Sequence, residues 1–456
     1  MTTSHTDPEL TAFVTYKQSL ERFQDALESI REIADFAAAN KESIEPEWKA
    51  TVTIEAPDIA GVPAERTRSA VAAMGEYIKA LVAVGHEFGL TEGSPAVEEA
   101  RKAAVAELNQ KLDQKFTQLS DENFDAASYA SQMLSMHAPR RRTGVILSSL
   151  LTSAVGDFEV LFSQMVGMYF ALRPQALSSR ELQFSWEDIR QFDSIEELRS
   201  FHADRQVEQL MWKGFDDWMD WLEKKMKIKL SDVALDSDAV AEVFQRRHII
   251  VHNGGRVSRQ YLLKAPGVSP KPAIGVKLTV NKGYLEKALD QLFTLGTLLA
   301  SSVFFKLATG EGVRGQGEIW LTSLTHNMLL NNRWEPALRI ANAGSSLFRT
   351  DAGRLAMRLN SWAAKKKIHG VNSIKAEVER WDTSALRDDY RMSRLALLDD
   401  FDGAWEIAKK LLMAGDMTRQ EVEELSILVS DEEELEACLI AEFGDLVERK
   451  STSSDQ

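Results

Sequence analysis

Gln245-Arg246-Arg247-His248-Ile249-Ile250-Val251-His252-Asn253-Gly254-Gly255 brings two arginines, two histidines and a double-glycine stop into eleven residues. The segment before it, Ala239 to Phe244, has apolar residues at Val240, Val243 and Phe244, which is helical spacing. Asn253-Gly254-Gly255 ends the helix, because glycine takes the left-handed cap conformation without a Cβ clash. The pattern therefore predicts a helix with His252 in its last turn, where unpaired carbonyls and the negative end of the helix dipole attract cations. Imidazole changes charge near neutral pH, and beside fixed guanidinium groups it suits proton transfer at a phosphate.

The run Arg247-His248-Ile249-Ile250-Val251-His252 resembles the motif of the HEPN superfamily. Ribonuclease members of that superfamily carry an arginine, then a polar residue, then a histidine at Arg-x4–6-His spacing. Arg247 fits with four intervening residues, Arg246 fits with five, and His248 stands at the polar position. The flanking Ile-Val-His-Asn-Gly-Gly is also similar to such domains. The resemblance implies a helical bundle and a metal-independent endoribonuclease that leaves a 2′,3′-cyclic phosphate and a 5′-hydroxyl. It also implies a site at a dimer interface, with no cofactor and no metal.

The residues fit that chemistry in outline. Metal-free RNA cleavage needs a group to deprotonate the 2′-hydroxyl, a group to protonate the leaving 5′-oxygen, and positive charge on the phosphate. His252, with His248 beside it, supplies acid or base. Arg247, with Arg246 beside it, offers a planar fork of donors. Five residues along an ideal helix rotate about 140° beyond a full turn, so Arg247 and His252 do not share a face. A second copy of the motif across a two-fold axis resolves that mismatch. Two rival readings use the same residues. His248 and His252 lie at i, i+4 and could share a metal, but a third ligand is missing and position 249 is Ile where a zinc-protease helix carries Glu. The cluster could also be an inert polar helix end that supports a dimer.

The rest of the chain reads as mainly α. Residues 1–130 form an N-terminal helical region, with candidates over Leu10–Ala39, Ala64–Phe88 and Ser94–Gln118 and a short strand over Lys49–Glu55. Phe13, Tyr16, Leu20, Phe23, Leu27, Ile30 and Ile33 make the apolar face of the first helix. His86 is a lone histidine suited to packing or surface. Residues 131–310 form the HEPN-like domain. In it Gly144–Leu172 carries a wide apolar stripe of Leu147, Leu151, Val155, Phe158, Phe162, Met165, Val166 and Tyr169. Asp157 and Glu159 interrupt that helix, either as solvated positions or as acids orienting a site residue. Ser200–Lys227 is a further helix, and at its helical spacing Trp212, Trp218 and Trp221 read as core. A small β-hairpin, Val257–Leu263 and Ile274–Val280, is inserted after the motif, and Lys282–Leu307 returns as a helix. Gly310–Gly317 reads as a linker.

Residues 318–450 show an internal echo. Arg333-Trp-Glu-Pro-Ala-Leu-Arg-Ile-Ala341 recurs as Asp400-Phe-Asp-Gly-Ala-Trp-Glu-Ile-Ala408, with a weaker copy over Lys367–Lys375 between them. A period near 34 resembles tetratricopeptide repeats, which stack helix pairs into a surface for a protein partner. Asp431-Glu-Glu-Glu-Leu-Glu436 reads as the solvated start of a helix, and the 451–456 tail as disordered.

Composition bounds the setting. No window approaches roughly 18 uninterrupted apolar residues, so no membrane span is expected. The first residues lack a secretory pattern, and a single cysteine, Cys438, suits a reducing cytoplasm. The net charge of −15 argues against a general nucleic-acid coat and confines RNA contact to a local basic site. Its candidates are Arg140, Arg141, Arg142, Asn253 and Arg256. RNA affinity should therefore fall steeply with salt. Neutralising Arg140, Arg141 and Arg142 together should weaken RNA retention on a filter without loss of the circular dichroism spectrum; unchanged affinity rejects this patch.

Overall fold

The structure is a computed structural model that describes residues 7–45, 61–88, 95–137, 142–177, 185–229, 231, 237–269 and 271–429. The strand expected over 49–55, Arg140, Arg141, the side chain of His86, the acidic run 431–436, Cys438 and the C-terminal tail lie outside the described residues. What is described is mainly α, with two isolated β-bridges and no strand.

The helices in chain order begin with α1 (Pro8–Ala39), α2 (Lys41–Ile44), α3 (Ala64–Phe88), α4 (Pro95–Leu119), α5 (Ala126–His137) and α6 (Arg142–Leu172). There follow α7 (Trp186–Ile189), α8 (Ile195–Met211), α9 (Phe215–Met226), α10 (Ser237–Asn253), α11 (Arg259–Lys264) and α12 (Lys282–Leu307). The last are α13 (Glu311–Leu330), α14 (Trp334–Gly344), α15 (Asp351–His369), α16 (Lys375–Glu379), α17 (Asp388–Leu397), α18 (Phe401–Ala414) and α19 (Arg419–Glu423).

Two compact units emerge, residues 39–145 and residues 1–38 with 146–456. The first has a small core of Val62, Ala70, Phe116, Phe124, Ala126 and Ala130 between α3, α4 and α5. In the second, α12 is the centre. Every residue from Leu292 to Ser301 is buried, so the helix is enclosed on all sides. The expected stripe of α6 is buried throughout. On α1, Tyr16, Leu20, Phe23, Leu27 and Ile30 are buried as expected, while Ile33 is half-exposed and Ala34 and Ala37 complete the face.

The first helix therefore does not belong to an N-terminal region ending at 130. Tyr16 stacks on Phe304 at 4.5 Å and its hydroxyl meets Ser301 Oγ at 2.8 Å, while Phe23 meets Phe158 at 6.1 Å. Without α1, one side of α12 would face water.

The glycine-rich stretch 310–317 is no linker; it is the first turns of α13. The Glu9 carboxylate of α1 accepts hydrogen bonds from the backbone N–H groups of Thr309 (3.0 Å) and Gly310 (2.8 Å), capping the α13 N-terminus. Arg314 is buried and donates to the carbonyls of Phe305, Ala308 and Leu347. Gly317 is where α13 crosses α12, since a Cβ there would lie 2.4 Å from Phe304 Cε1.

Three further expectations are corrected. Ser200–Lys227 is two helices, broken at Gly214, with Trp218 Nε1 donating to the Leu210 carbonyl across the break at 2.9 Å. Trp218 is buried and Trp221 half-buried, but Trp212 is 88% exposed. The β-hairpin is absent as strands: Ser258 caps α11, and the return chain pairs only briefly, with Val257 N–H donating to the Val276 carbonyl at 2.9 Å. The 34-residue register also fails. Trp334 and Phe401 each open a helix, and Ala337 and Ala404 are buried, but the middle copy straddles the end of α15 at Gly370 and a 3-10 turn. Nor do the described residues 318–429 stand apart as one body: the main apolar core runs from Ala12 through α13–α15 to Ile427, while Met392, Ala396, Ala404, Trp405, Ala408, Val422 and Val429 form a small cluster of their own. Lys366 Nζ, deep in that region, donates to the carbonyls of Ala396 (2.9 Å) and Leu428 (2.6 Å) and to the Asp399 carboxylate (2.6 Å).

Helices α6 and α12 are each long and apolar enough to cross a membrane, although neither is uninterrupted. Of the most apolar window of α12, 83% is buried inside the protein, as befits a core helix.

The α13–α12 crossing gives a test with opposite signs at two glycines. Gly317→Ala should destabilise by about 1–3 kcal/mol through overpacking against a buried ring. Gly315→Ala, where an added Cβ meets nothing, should stabilise by about 0.5–1 kcal/mol through helix propensity. Urea unfolding of both variants decides; equal effects contradict the crossing.

Candidate active site

The motif helix forms as its sequence dictates. Val240, Val243, Phe244 and Ile249 are buried, and Phe244 stacks on Phe215 at 4.4 Å and meets Phe158 edge-on at 5.3 Å. The helix stops at Asn253, where Gly254 and Gly255 take φ of +58° and +80° and Gly255 N–H donates to the Ile249 carbonyl at 2.8 Å. A side chain at Gly255 would also press on the Leu278 carbonyl, 3.1 Å from its Cβ.

Below the motif lies a buried polar cluster. Glu242 accepts from Arg246 Nε at 2.7 Å and from the hydroxyls of Tyr261 and Tyr284, each at 2.6 Å. Arg246 also donates to the Thr279 carbonyl at 3.2 Å, and its guanidinium lies 4.3 Å from the Tyr284 ring centre. Burial and the adjacent carboxylate push both tyrosines well above the usual phenol range. Arg246 is thus held inside the protein by one carboxylate, one ring and one carbonyl. It ties α10 to α11 and α12.

Arg247 leaves α10 on another side and pairs with Glu159 of α6 at 2.6 Å, both side chains about one-third exposed or less. Its Nε is buried without a hydrogen-bond partner. Burial raises the Glu159 carboxyl, and Arg247 opposes that rise. Of the two acids read as possible orienting groups, Glu159 therefore reaches the motif. Asp157, raised by burial, makes no ion pair or hydrogen bond among the described residues.

His248 and His252 are both exposed, on adjacent turns, with ring centres 4.8 Å apart and planes at 49°. His248 is held below the ordinary imidazole value by partial burial and then by the positive charges of His252, Arg247 and Lys264. Among the described residues no group of three or more metal-ligating side chains includes this pair. Asn253 Nδ2 donates to the Arg256 carbonyl at 2.6 Å, and the Arg256 guanidinium to the Gly275 carbonyl at 3.0 Å, so both stabilise the turn after the helix. Arg142 falls in the other unit, where its backbone N–H donates to Glu45 at 3.0 Å.

The structure thus brings together His248, His252, Arg247 and Glu159, and directs Arg246 inward. The sequence reading missed Glu242, Tyr261 and Tyr284. The i, i+4 spacing of Glu242 and Arg246 was a visible signal; the tyrosines arrive from 19 and 42 residues downstream, beyond any local pattern.

Glu242→Ala should cost about 3–5 kcal/mol, because it leaves Arg246 and two hydroxyls without their shared acceptor. Tyr284→Phe should cost about 1–2 kcal/mol. Denaturant unfolding followed by tryptophan fluorescence measures both; a Glu242→Ala loss below that of Tyr284→Phe contradicts the cluster.

No known protein family matches the chain, and neither a curated protein nor a solved structure is significantly similar to it.

Proposed function

We propose that the protein is a metal-independent endoribonuclease of the HEPN type, working in the cytoplasm as a homodimer, with RNA as its substrate. The observation that carries this reading is the pair of exposed imidazoles at the end of α10, their ring centres 4.8 Å apart, beside an arginine anchored by Glu159; burial and neighbouring cations lower His248 toward its neutral form. The helical layers α13–α19 would serve as a platform for a protein partner, and the whole as a toxin-like or antiviral defence effector.

In the proposed step, neutral His248 takes the proton of a 2′-hydroxyl, whose oxygen attacks phosphorus. The bond from phosphorus to the 5′-oxygen breaks, and protonated His252 supplies the proton to that oxygen. The products are a 2′,3′-cyclic phosphate and a 5′-hydroxyl. The terminal N–H groups of Arg247 beyond the one engaged by Glu159 would face charge developing on the phosphate, while its Nε stays buried.

Geometry argues for two chains. In-line displacement puts the attacking and leaving oxygens on opposite sides of phosphorus, each within about 2.6–3.2 Å of its acid or base. Two rings side by side on one helix face do not oppose each other across a phosphate. His248 of one chain and His252 of a second, related by a two-fold axis, do.

A second reading has its own support: Arg246 is bonded to Glu242 and to the Thr279 carbonyl and Arg247 is ion-paired, as in a non-catalytic scaffold that binds RNA or a protein. Incubation with total RNA separates the two. The wild type should cut, while His252→Ala and His248→Ala should each lose activity by at least about 10²-fold. EDTA should change nothing. RNA left intact by the wild type favours the scaffold.

The pH profile of kcat/KM should show an acidic limb displaced below that of an ordinary imidazole, because activity is lost as pH falls through the lowered value of His248. Mixed His248→Ala and His252→Ala chains should recover about a quarter of wild-type activity, since half the dimers are mixed and one of their two sites is whole. No recovery, or cutting by a monomer, contradicts the shared site.

A further inference from the structure

A second cluster of cations and aromatic rings lies between α14, α15 and α16, in residues the proposed cleavage does not use. There a cavity of about 590 Å³ is lined by Arg354, Arg358, Arg380, Trp362, Trp381 and Asn342, with Glu377 and Asp382 as its acids. That volume is in the range of small-molecule sites.

The lining charges are not equally free. Trp362 Nε1 and Lys365 Nζ each donate to Glu377 at 2.9 Å, and these bonds hold its carboxyl below the usual range. Asp382 accepts from the backbone of Ser384 at 2.9 Å, which lowers it likewise. Arg354 is tied to Asp351 and to the carbonyls of Phe348 and Arg349. Arg358 and Arg380 differ. Both are exposed, and neither makes an ion pair or a side-chain hydrogen bond among the described residues. Arg358 lies over the Trp362 ring, 5.9 Å from its centre, and its charge adds to those that lower Glu377, without a direct ion pair. Two unpaired guanidinium groups at one cavity stand out in a chain with net charge −15. A planar fork of donors is the group of choice for phosphate.

The aromatic wall fits the other half of a ligand. Trp362 is buried, while Trp381 is half-buried and braced by Trp362 at 5.4 Å and by Tyr390 at 6.3 Å. A braced indole with part of its surface open can stack a heterocycle, a contact of about 1–3 kcal/mol per base. Glu377 and Asp382 in the cavity lining would repel a long polyanion that ran past it. The combination favours one small anion bearing a flat ring.

We propose that this cavity binds a nucleoside phosphate, with its base against Trp381 and its phosphate on Arg358 and Arg380. The site is independent of α10. It would make the C-terminal helices a receptor for a free nucleotide in addition to any protein partner.

Calorimetric titration of the full chain tests this. The probes are the mono- and triphosphates of adenosine, guanosine, cytidine and uridine, with adenosine alone, inorganic phosphate, a short single-stranded oligonucleotide and a phosphoserine peptide. At least one nucleotide should bind one-to-one with micromolar affinity. Adenosine and inorganic phosphate should bind at least about tenfold more weakly. The double variant Arg358→Ala/Arg380→Ala changes only exposed side chains and should weaken binding at least about tenfold, with its circular dichroism unchanged. Trp381→Ala should weaken it and Trp381→Phe should preserve it, while His248→Ala should have no effect. The proposal is overturned if no nucleotide binds the wild type at millimolar concentration, if the double arginine variant binds as well as wild type, or if the peptide or oligonucleotide binds more tightly than every nucleotide.

Discussion

Enclosing α12 on every side is the constraint from which the larger unit follows. Ten consecutive residues of one helix, Leu292 to Ser301, are removed from water, so helices must cover it all round. Polar groups inside that run need internal partners, and most have them: Thr294 donates to the Asp290 carbonyl at 2.7 Å and Ser301 meets Tyr16. Close approach is bought by glycine, at Gly317 against Phe304 and at Gly296, where a Cβ would fall 2.8 Å from both Leu161 and Phe23. Where α12 nears the surface, Asp290 gathers Arg31 of α1 and Arg333 at the start of α14, and Arg333 also reaches Glu28 at 2.7 Å. Three helices distant in sequence are thereby fixed to one carboxylate.

The motif helix inherits its position from the same core. Tyr284 stands in the first turn of α12, and through Glu242 it holds both Arg246 and the body of α10. Phe244 locks the other side against Phe215 and Phe158. What remains outside is a short rigid edge with two imidazoles. If the pair works as proposed, it would gain from such anchoring, because misplacement by about 1 Å can cost 10²-fold in rate. The network therefore fixes the helix that carries the exposed pair.

Much of this was legible in the chain, and what was not has physical causes. Apolar periodicity located α1, α3, α6 and α12 to within a few residues, and the Asn-Gly-Gly stop located the end of α10. Composition misled where tertiary contacts override it. Gly310–Gly317 has the content of a linker, yet Glu9 caps it and Phe304 requires its glycine. Val257–Leu263 has strand character, yet Ser258 caps a helix there because Tyr261 reaches Glu242. The repeat reading failed at its weakest copy, where Gly370 ends a helix instead of opening one. In the site, the pairing of Arg247 with Glu159 spans 88 residues; an acid inside an apolar stripe was noticeable, but its partner was not.

The placement of α1 also bears on how the chain reaches its native state. Tyr16 and the Ser301 it bonds are 285 residues apart. At a synthesis rate of about 5–20 residues per second, roughly 15–60 s separate the emergence of the two. Through that interval Tyr16 lacks the Phe304 ring and the Ser301 hydroxyl that enclose it, whereas the cluster of Val62, Ala70, Phe116 and Phe124 lies wholly within residues 39–145. The nascent chain thus carries an amphipathic helix whose cover is completed late. The second unit must close a loop of nearly three hundred residues before its core is dry, a topology that slows folding.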